Sequence, residues 1–387
     1  MNKRKKNKKE KLAILIFHIN KDHSEVPWDI YYKMICNGEF IEMLESVNIR
    51  IVFSVQAEDV AFWAKENPDI IEQIKSNPNF SVLRGLYTHM MPSFFPGMLQ
   101  KQISLGNKIL EYYFGDKLSK IGCFPELDII KDVQLLDEWE GFIALDGLKY
   151  AYEHRKGMST RIPVQNKTIL SLEDKIVIMA EPSLRDVYLK YFRGFATAED
   201  FVQALENKIK TNENNLSVFL TDFEVPQVNN INGISRLDLW KELFLALKKS
   251  SIEFCHFDDI QKMLKKEAKT EIVIDHRDTT KWYHSVKIYE EIEKALALDL
   301  NTSIQDKLRI TISDTFSALF WREVAKKNYI ELPVNGSNDK VIIGPDLDRR
   351  IEAFNHFLCK VKGETPPNIK DKATKWFIKT LEKIKLP

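Results

Sequence analysis

Between residues 11 and about 270 the chain repeats one pattern, an apolar run of strand length followed by an amphipathic stretch. The runs are Lys11–Ile19, Ile49–Val55, Phe80–Leu86, Lys120–Glu126, Gly141–Gly147, Lys175–Glu181 and Leu216–Glu224, with Ile252–Phe257 as a closing candidate. The stretches between them, such as MLQKQISLGNKILEYYFG and SRLDLWKELFLALKKS, carry apolar residues at helical spacing. Continuous apolar strands separated by helices are the mark of a parallel sheet covered on both faces. Seven or eight such units predict a barrel or a wide open sheet, with chemistry at the carboxyl ends of the strands. The polar residues His18, Gln56, Glu126, Asp146, Glu181 and Asp222 all stand at or just past those ends.

From about residue 275 the pattern becomes helical with polar connections, and a short hairpin is expected around Asn335-Gly336 within Glu331–Pro345. The expected division is a disordered basic tail over 1–10, a catalytic barrel over 11–270, and a helical region over 271–387 packed on the barrel. The tail, MNKRKKNKKE, precedes the apolar run Leu12–Ile19, an order that imitates a signal peptide. The run lasts only eight residues and no small-x-small cleavage site follows, so it reads as a buried strand and not a membrane span.

Lys and Arg number 57 against 56 Asp and Glu, a net charge of +1, which argues against a nucleic-acid binder. The cysteines Cys36, Cys123, Cys255 and Cys359 form no CxxC pair and read as free thiols of a cytoplasmic protein. No G-x-S-x-G or G-x-x-x-x-G-K is present, which removes serine-nucleophile and phosphate-loop chemistry as main activities. His18 and His23, separated by four residues, could be proposed as metal ligands, but His18 is expected to line a polar pocket and His23 to lie on a loop, and no H-x-x-x-H occurs. A metal-dependent polysaccharide deacetylase of related barrel type is therefore the weaker alternative, and no metal or cofactor is expected.

Two carboxylates remain, Glu126 after Pro125 and Asp222 within Asp222-Phe223-Glu224. Acids at strand ends are common as helix caps. A pair on different strands is also what glycosidic cleavage requires, one acid protonating the leaving oxygen while the other attacks the anomeric carbon or activates water.

The ordered series SVLRGLYTHMMPSFFP, QKQISLGNKILEYYFG, KIGCFPELDIIKDVQLLDEWEGFIALDG, PSLRDVYLKYFRGF and LTDFE resembles the core of glycoside hydrolase family 57 over roughly residues 11–260. The resemblance implies an incomplete parallel (β/α)7 barrel followed by a C-terminal helical region. It also implies α-glucan-like oligo- or polysaccharides as substrate, with retaining cleavage or transfer in which Glu126 is the nucleophile and Asp222 the general acid/base. Asp222 would then need a raised pKa in the free enzyme, supplied by the nearby Glu224 charge or by burial. A retaining enzyme sets its carboxyl groups roughly 5–5.5 Å apart and an inverting one roughly 6.5–9.5 Å.

His18, Tyr87 and His89 are candidate sugar contacts. Asp146 either orients a hydroxyl or caps the next segment, and Arg185 with Asp186 either orients a catalytic carboxylate or forms a surface pair. Trp282 and Trp321 are candidates to line the cleft from the helical region, whereas Trp28, Trp63, Trp139 and Trp240 are expected in packing. The chain departs from the family pattern at the first strand, His18-Ile19-Asn20 in place of His-Gln-Pro, and at Cys123 in place of Trp. These departures give a second reading, a catalytically silent glycan-binding protein of the same fold. Oligomeric state, linkage specificity and the choice between hydrolysis and transfer are open at this level.

Overall fold

The computed structural model describes residues 10–21, 35–92, 94–127, 133–145, 150–155, 158–163, 167–222, 235–268, 286–298, 300–312, 319, 329–334, 337–342 and 344–384, to which the following account is confined. The chain opens with β1 (Leu12–Ile19), α1 (Glu39–Val47), β2 (Ile51–Val55), α2 (Ala57–Glu66), α3 (Asp69–Ser76) and β3 (Phe80–Arg84). Then come α4 (Pro96–Phe114), β4 (Leu118–Cys123) and β5 (Gly141–Leu145). A hairpin of β6 (Tyr150–Arg155) and β7 (Met158–Pro163) leads to β8 (Ile169–Leu172) and β9 (Lys175–Ala180). Next are α5 (Pro182–Phe192), α6 (Ala198–Thr211), β10 (Leu216–Asp222), α7 (Arg236–Lys249), β11 (Glu253–Phe254) and α8 (Gln261–Glu267). The last part holds α9 (Val286–Ala297), α10 (Ile304–Arg309), β12 (Tyr329–Val334), β13 (Ser337–Ile342), α11 (Gly344–Lys362) and α12 (Lys372–Glu382).

The main sheet runs β10-β1-β2-β3-β4-β5-β9-β8, with β11 beside β1. Every pairing from β10 through to β9 is parallel, and only β8 joins antiparallel. Side chains alternate across a strand, so each strand feeds two cores. Ile14, Ile16, Val52, Leu83, Ile121, Ile143, Ile178 and Val218 gather inside the curve of the sheet. Phe17, Phe53, Val82, Phe142, Val177 and Phe219 pack outward under the helices. Each such side chain stabilises the fold by about 1.5–3 kcal/mol through burial. The sheet is an incomplete (β/α) barrel that does not close. No ladder joins β9 to β10; the seam is bridged by Glu181 N–H donating to Val218 O at 2.9 Å and by Thr168 Oγ1 donating to Leu216 O at 3.0 Å.

Several elements differ from the sequence expectation. β4 stops at Cys123, and Pro125, which cannot donate to a ladder, starts a 3-10 turn over Pro125–Leu127. Arg185 and Asp186 lie within a helix, α5, that starts on Pro182 at its favoured first position. The closing strand shrinks to the two residues of β11. The β6–β7 hairpin, paired from Tyr150↔Pro163 to Arg155↔Met158, was not anticipated. The expected hairpin is present as β12–β13, closing at Val334↔Ser337. Two glycines are needed for close approach: a Cβ at Gly106 would overlap the Gly85 carbonyl, and one at Gly122 would overlap the Trp139 ring.

The helical region packs on α2 and on the loop after β3 through both rings and charges. Phe62 meets Trp376 and Phe377, and Phe95 stacks on Tyr289 at 5.3 Å. Beneath them lies a buried ion network. Glu58, fully buried, accepts from Arg309 Nε at 2.6 Å, Lys21 Nζ at 3.0 Å and Tyr87 Oη at 3.0 Å. Lys21 Nζ also lies 3.2 Å from Asp59, while Arg309 reaches Asp306 at 3.2 Å and Leu381 O at 2.8 Å. Lys360 then ties Asp306 to Glu382 at 3.0 and 3.1 Å. Burial alone would raise the Glu58 carboxyl, but the Arg309 and Lys21 charges overcome it and hold the group down at about 2.

Removing one partner of a buried pair leaves the other charge stranded. Arg309→Met should therefore lower stability by about 3–5 kcal/mol in urea unfolding followed by circular dichroism. Because the Glu58 pKa is depressed in the folded chain, its contribution is complete above 4.5 and fades as pH falls toward 2. A loss on the order of 3 kcal/mol across that window is expected, and Glu58→Gln should flatten it in pH-dependent unfolding.

Candidate active site

Parallel strands end together, so the sheet presents a set of carboxyl-end side chains to one rim. In register, His18 on β1 is level with both Ser54 on β2 and Asp222 on β10. All three continue the inward-facing series of their strands, above the apolar filling of Ile16, Val52 and Leu220. His18 Nδ1 lies 3.2 Å from Ser54 Oγ. His89, from the loop after β3, sets its ring 5.0 Å from the His18 ring at a tilt of 44°. Both histidines are buried, while Asp222 is 26% exposed and faces the opening. Arg185, reaching from α5, places Nη2 3.6 Å from Asp222 Oδ2. This guanidinium is 60% exposed, so the pair is a weak, water-screened one. Tyr188, one turn further along α5, donates its hydroxyl to Asp222 O at 3.3 Å and fixes the end of β10.

β4 supplies the fourth side. Burial pushes the Cys123 thiol up to about 12; the Ser54 hydroxyl opposes that rise and the Asp222 charge adds to it. Cys123 faces the interior cluster shared with β1, β2 and β10, as a neutral thiol that donates to Phe124 O at 3.6 Å. Cys123 occupies the position where the resembling motif carries Trp. The large ring is supplied from elsewhere: Trp139 covers Gly122, stacks on Phe124 at 5.0 Å and donates to Asn107 Oδ1 at 3.0 Å. Glu126 follows in the 3-10 turn, between Pro125 and Leu127, with Leu127 at φ 53° and its side chain in the interior core.

The structure thus brings together His18, His89, Asp222 and Arg185. It gives Tyr87 another neighbourhood. That residue is fully buried, its hydroxyl donating to Glu58 and accepting from Gln305 Nε2 at 3.0 Å, so it serves the seam with the helical region. The segment it belongs to is strapped down by Gln102 of α4, whose Oε1 accepts from Thr88 N–H at 2.9 Å and whose Nε2 donates to Thr88 Oγ1 at 2.7 Å and Thr311 Oγ1 at 3.3 Å. Asp186 is exposed on α5. Asp146, Glu224, Trp282 and Trp321 lie outside the described residues, as does the Glu126 side chain. Of the tryptophans expected in packing, Trp63, Trp139 and Trp240 are fully buried. Among the described residues no group of three or more His, Cys, Asp or Glu could hold a metal ion, and no helix is long and apolar enough to cross a membrane.

Ser54 escaped the sequence reading, although its alternation with Val52 on an apolar strand was the available signal. The Lys21–Glu58–Arg309 network left no such signal, because Arg309 stands 251 positions from Glu58.

No family model matches the sequence, and no curated protein matches it. Solved structures do resemble the fold. The α-amylase AmyC from Thermotoga maritima matches with a TM-score of 0.58 at 10% identity, over 97% of each chain. An exo-type maltose-forming amylase from Pyrococcus sp. ST04 matches at 0.52 and 12% identity, over 91% of this chain and 74% of that one. The 4-α-glucanotransferase from Thermococcus litoralis matches at 0.50 and 14% identity; 75% of this chain is covered, and the match spans 46% of the glucanotransferase's length. The likeness at these identities is one of fold: this chain has the barrel-plus-helices architecture also found in those proteins.

The burial of Cys123 has a direct chemical consequence. With its thiol held near 12, native protein treated with iodoacetamide at pH 8 should leave Cys123 unlabelled by peptide mass spectrometry, and unfolding in urea should expose it to complete labelling.

Proposed function

We propose that this chain is a divergent carbohydrate-active enzyme of the glycoside hydrolase family 57 kind, cleaving or transferring α-glucan-like bonds with retention of configuration. The observation that carries the reading is the convergence of β4 and β10 at one rim. Asp222 ends β10 level with His18, and Cys123, which ends β4, belongs to the same interior cluster against which Leu220 of β10 packs. Glu126 leaves β4 three residues later, in a turn tied to the interior through Leu127. The proposal takes Asp222, at the end of β10, and Glu126, in the turn that follows β4, as the two acids of one site at the carboxyl end of the barrel.

In the proposed first step Glu126 attacks the anomeric carbon, the glycosidic bond breaks, and Asp222 in its acid form gives its proton to the leaving oxygen. In the second step the Asp222 carboxylate takes a proton from water or an acceptor hydroxyl, which attacks the glycosyl–enzyme ester and frees Glu126. Arg185, beside Asp222 at the exposed edge of the mouth, gives the carboxylate a weak, water-screened ion-pair partner. His18 and His89 supply ring nitrogens at the floor and wall of the mouth, groups suited to sugar hydroxyls. The three structural likenesses add support at the level of architecture, since amylases and a glucanotransferase use this fold.

Maltoheptaose incubated with the protein should give shorter or redistributed oligosaccharides by chromatography. Glu126→Gln and Asp222→Asn should each reduce that turnover by roughly 10²–10⁴-fold while leaving the thermal midpoint in place. Product profiles unaltered by Glu126→Gln would remove the enzymatic reading. Binding without turnover by wild type would support the catalytically silent glycan-binding alternative.

A further inference from the structure

Gln56 follows β2 directly, and its backbone is still extended, with φ −80° and ψ 149°. Alternation along the strand therefore carries through it, and it belongs to the inward face of Val52 and Ser54, one layer nearer the opening than the His18–Ser54 contact. Its side chain is 2% exposed.

The ordinary task of a polar residue here is to cap α2, and Gln56 does not perform it. Its side chain makes no cap hydrogen bond. Ala57 N–H donates to Leu86 O at 3.0 Å and Glu58 N–H to Tyr87 O at 2.9 Å, while Asp59 and Val60 N–H both donate to the Gln56 backbone oxygen, at 3.1 and 3.2 Å. All four leading N–H groups of the helix are thus satisfied without the amide. The amide oxygen itself is shielded from solvent and, among the described residues, has no hydrogen-bond partner. A buried acceptor left in this state destabilises the free protein, and native folds hold few of them.

The position gives that destabilised group a use. It stands at the carboxyl end of a barrel strand, among groups that all face the mouth, where ligands of such folds are held. A neutral amide oxygen asks for a hydrogen-bond donor, and it has no charge with which to select a cation. We propose that Gln56 is a ligand-binding residue of the mouth, its amide oxygen accepting a hydrogen bond from a hydroxyl group of a neutral glycan. The inference deepens the proposed function and rests on it for the identity of the ligand. Because the oxygen is shielded from bulk solvent, a hydroxyl that reaches it supplies a hydrogen bond the described residues do not. Such a site also discriminates strongly against a ligand that lacks the hydroxyl.

Gln56→Met keeps the shape of the side chain and removes the orphaned acceptor, and Gln56→Leu repeats the change with a branched side chain. Thermal unfolding of the free proteins and calorimetric titration with maltoheptaose are the two measurements. The expected pattern is opposite in sign: a melting midpoint raised by about 2–4 °C and maltoheptaose bound roughly tenfold to hundredfold more weakly. A lowered midpoint in both variants overturns the inference, since the amide would then be a structural group, bonded through a buried water. A raised midpoint with unchanged affinity overturns it as well, since the oxygen would then touch no ligand. Wild type that fails to bind maltoheptaose, whatever the variants' midpoints, overturns the glycan reading and the ligand assigned to Gln56 together.

Discussion

A carboxylate with no exposure to water sits where the barrel meets the helical region, and the arrangement of the mouth follows from how it is satisfied. Glu58 receives hydrogen bonds from Arg309, Lys21 and Tyr87, which come from the helical region, the end of β1 and the loop after β3. Taking these charges out of water is expensive, and their mutual attraction offsets that only when the geometry is good and the remaining donors are occupied. Here they are: Arg309 uses its other nitrogens on Asp306 and Leu381 O, and Lys21 also reaches Asp59. A network satisfied this completely tolerates little displacement of any member. The loop after β3 is thereby fixed at Tyr87 by charge and at Thr88 by Gln102, and His89 is held against His18 as a result.

The barrel interior follows a simpler rule. Alternation sends every second side chain inward, and the lower layers are filled with Ile, Val and Leu, as a close-packed interior demands. Polarity gathers in the layer of His18, Ser54 and Asp222, with Gln56 beyond it, while the layer below holds the small hydroxyl of Ser81 level with Val52. This gradient from hydrocarbon to polar groups along the same strands turns the carboxyl end of a packed core into a site. Cys123 belongs to that layer but stays a neutral thiol, and the aromatic mass absent from its position is provided on the other face of β4 by Trp139 against Gly122.

Particular elements show which features were legible beforehand. The strands were, because five to eight consecutive apolar residues between helical patterns admit few other interpretations. Their ends were less so: the run Lys120–Glu126 is continuous in hydropathy, yet Pro125 takes Glu126 out of the ladder and into a turn. The β6–β7 hairpin was missed because its strands carry charged and polar residues and lie off the main sheet. Tyr87 and His89 are both sugar-contact candidates in the sequence, but the irregular loop after β3 turns Tyr87 to Glu58 and His89 to His18.

The amino-acid sequence by itself determined the parallel sheet, the rim at which polar residues collect, and the division into barrel and helical parts. These follow from local periodicity, which a chain carries at every position. Only the tertiary structure decided that His18 stands level with Asp222 on one side and Ser54 on the other, that Cys123 joins the same interior cluster, and that Glu58 draws Arg309 across 251 positions to lock the loop of His89. Those relations depend on strand order, register and the docking of one region on another, and the energy that selects them comes from contacts between residues with no local pattern in common.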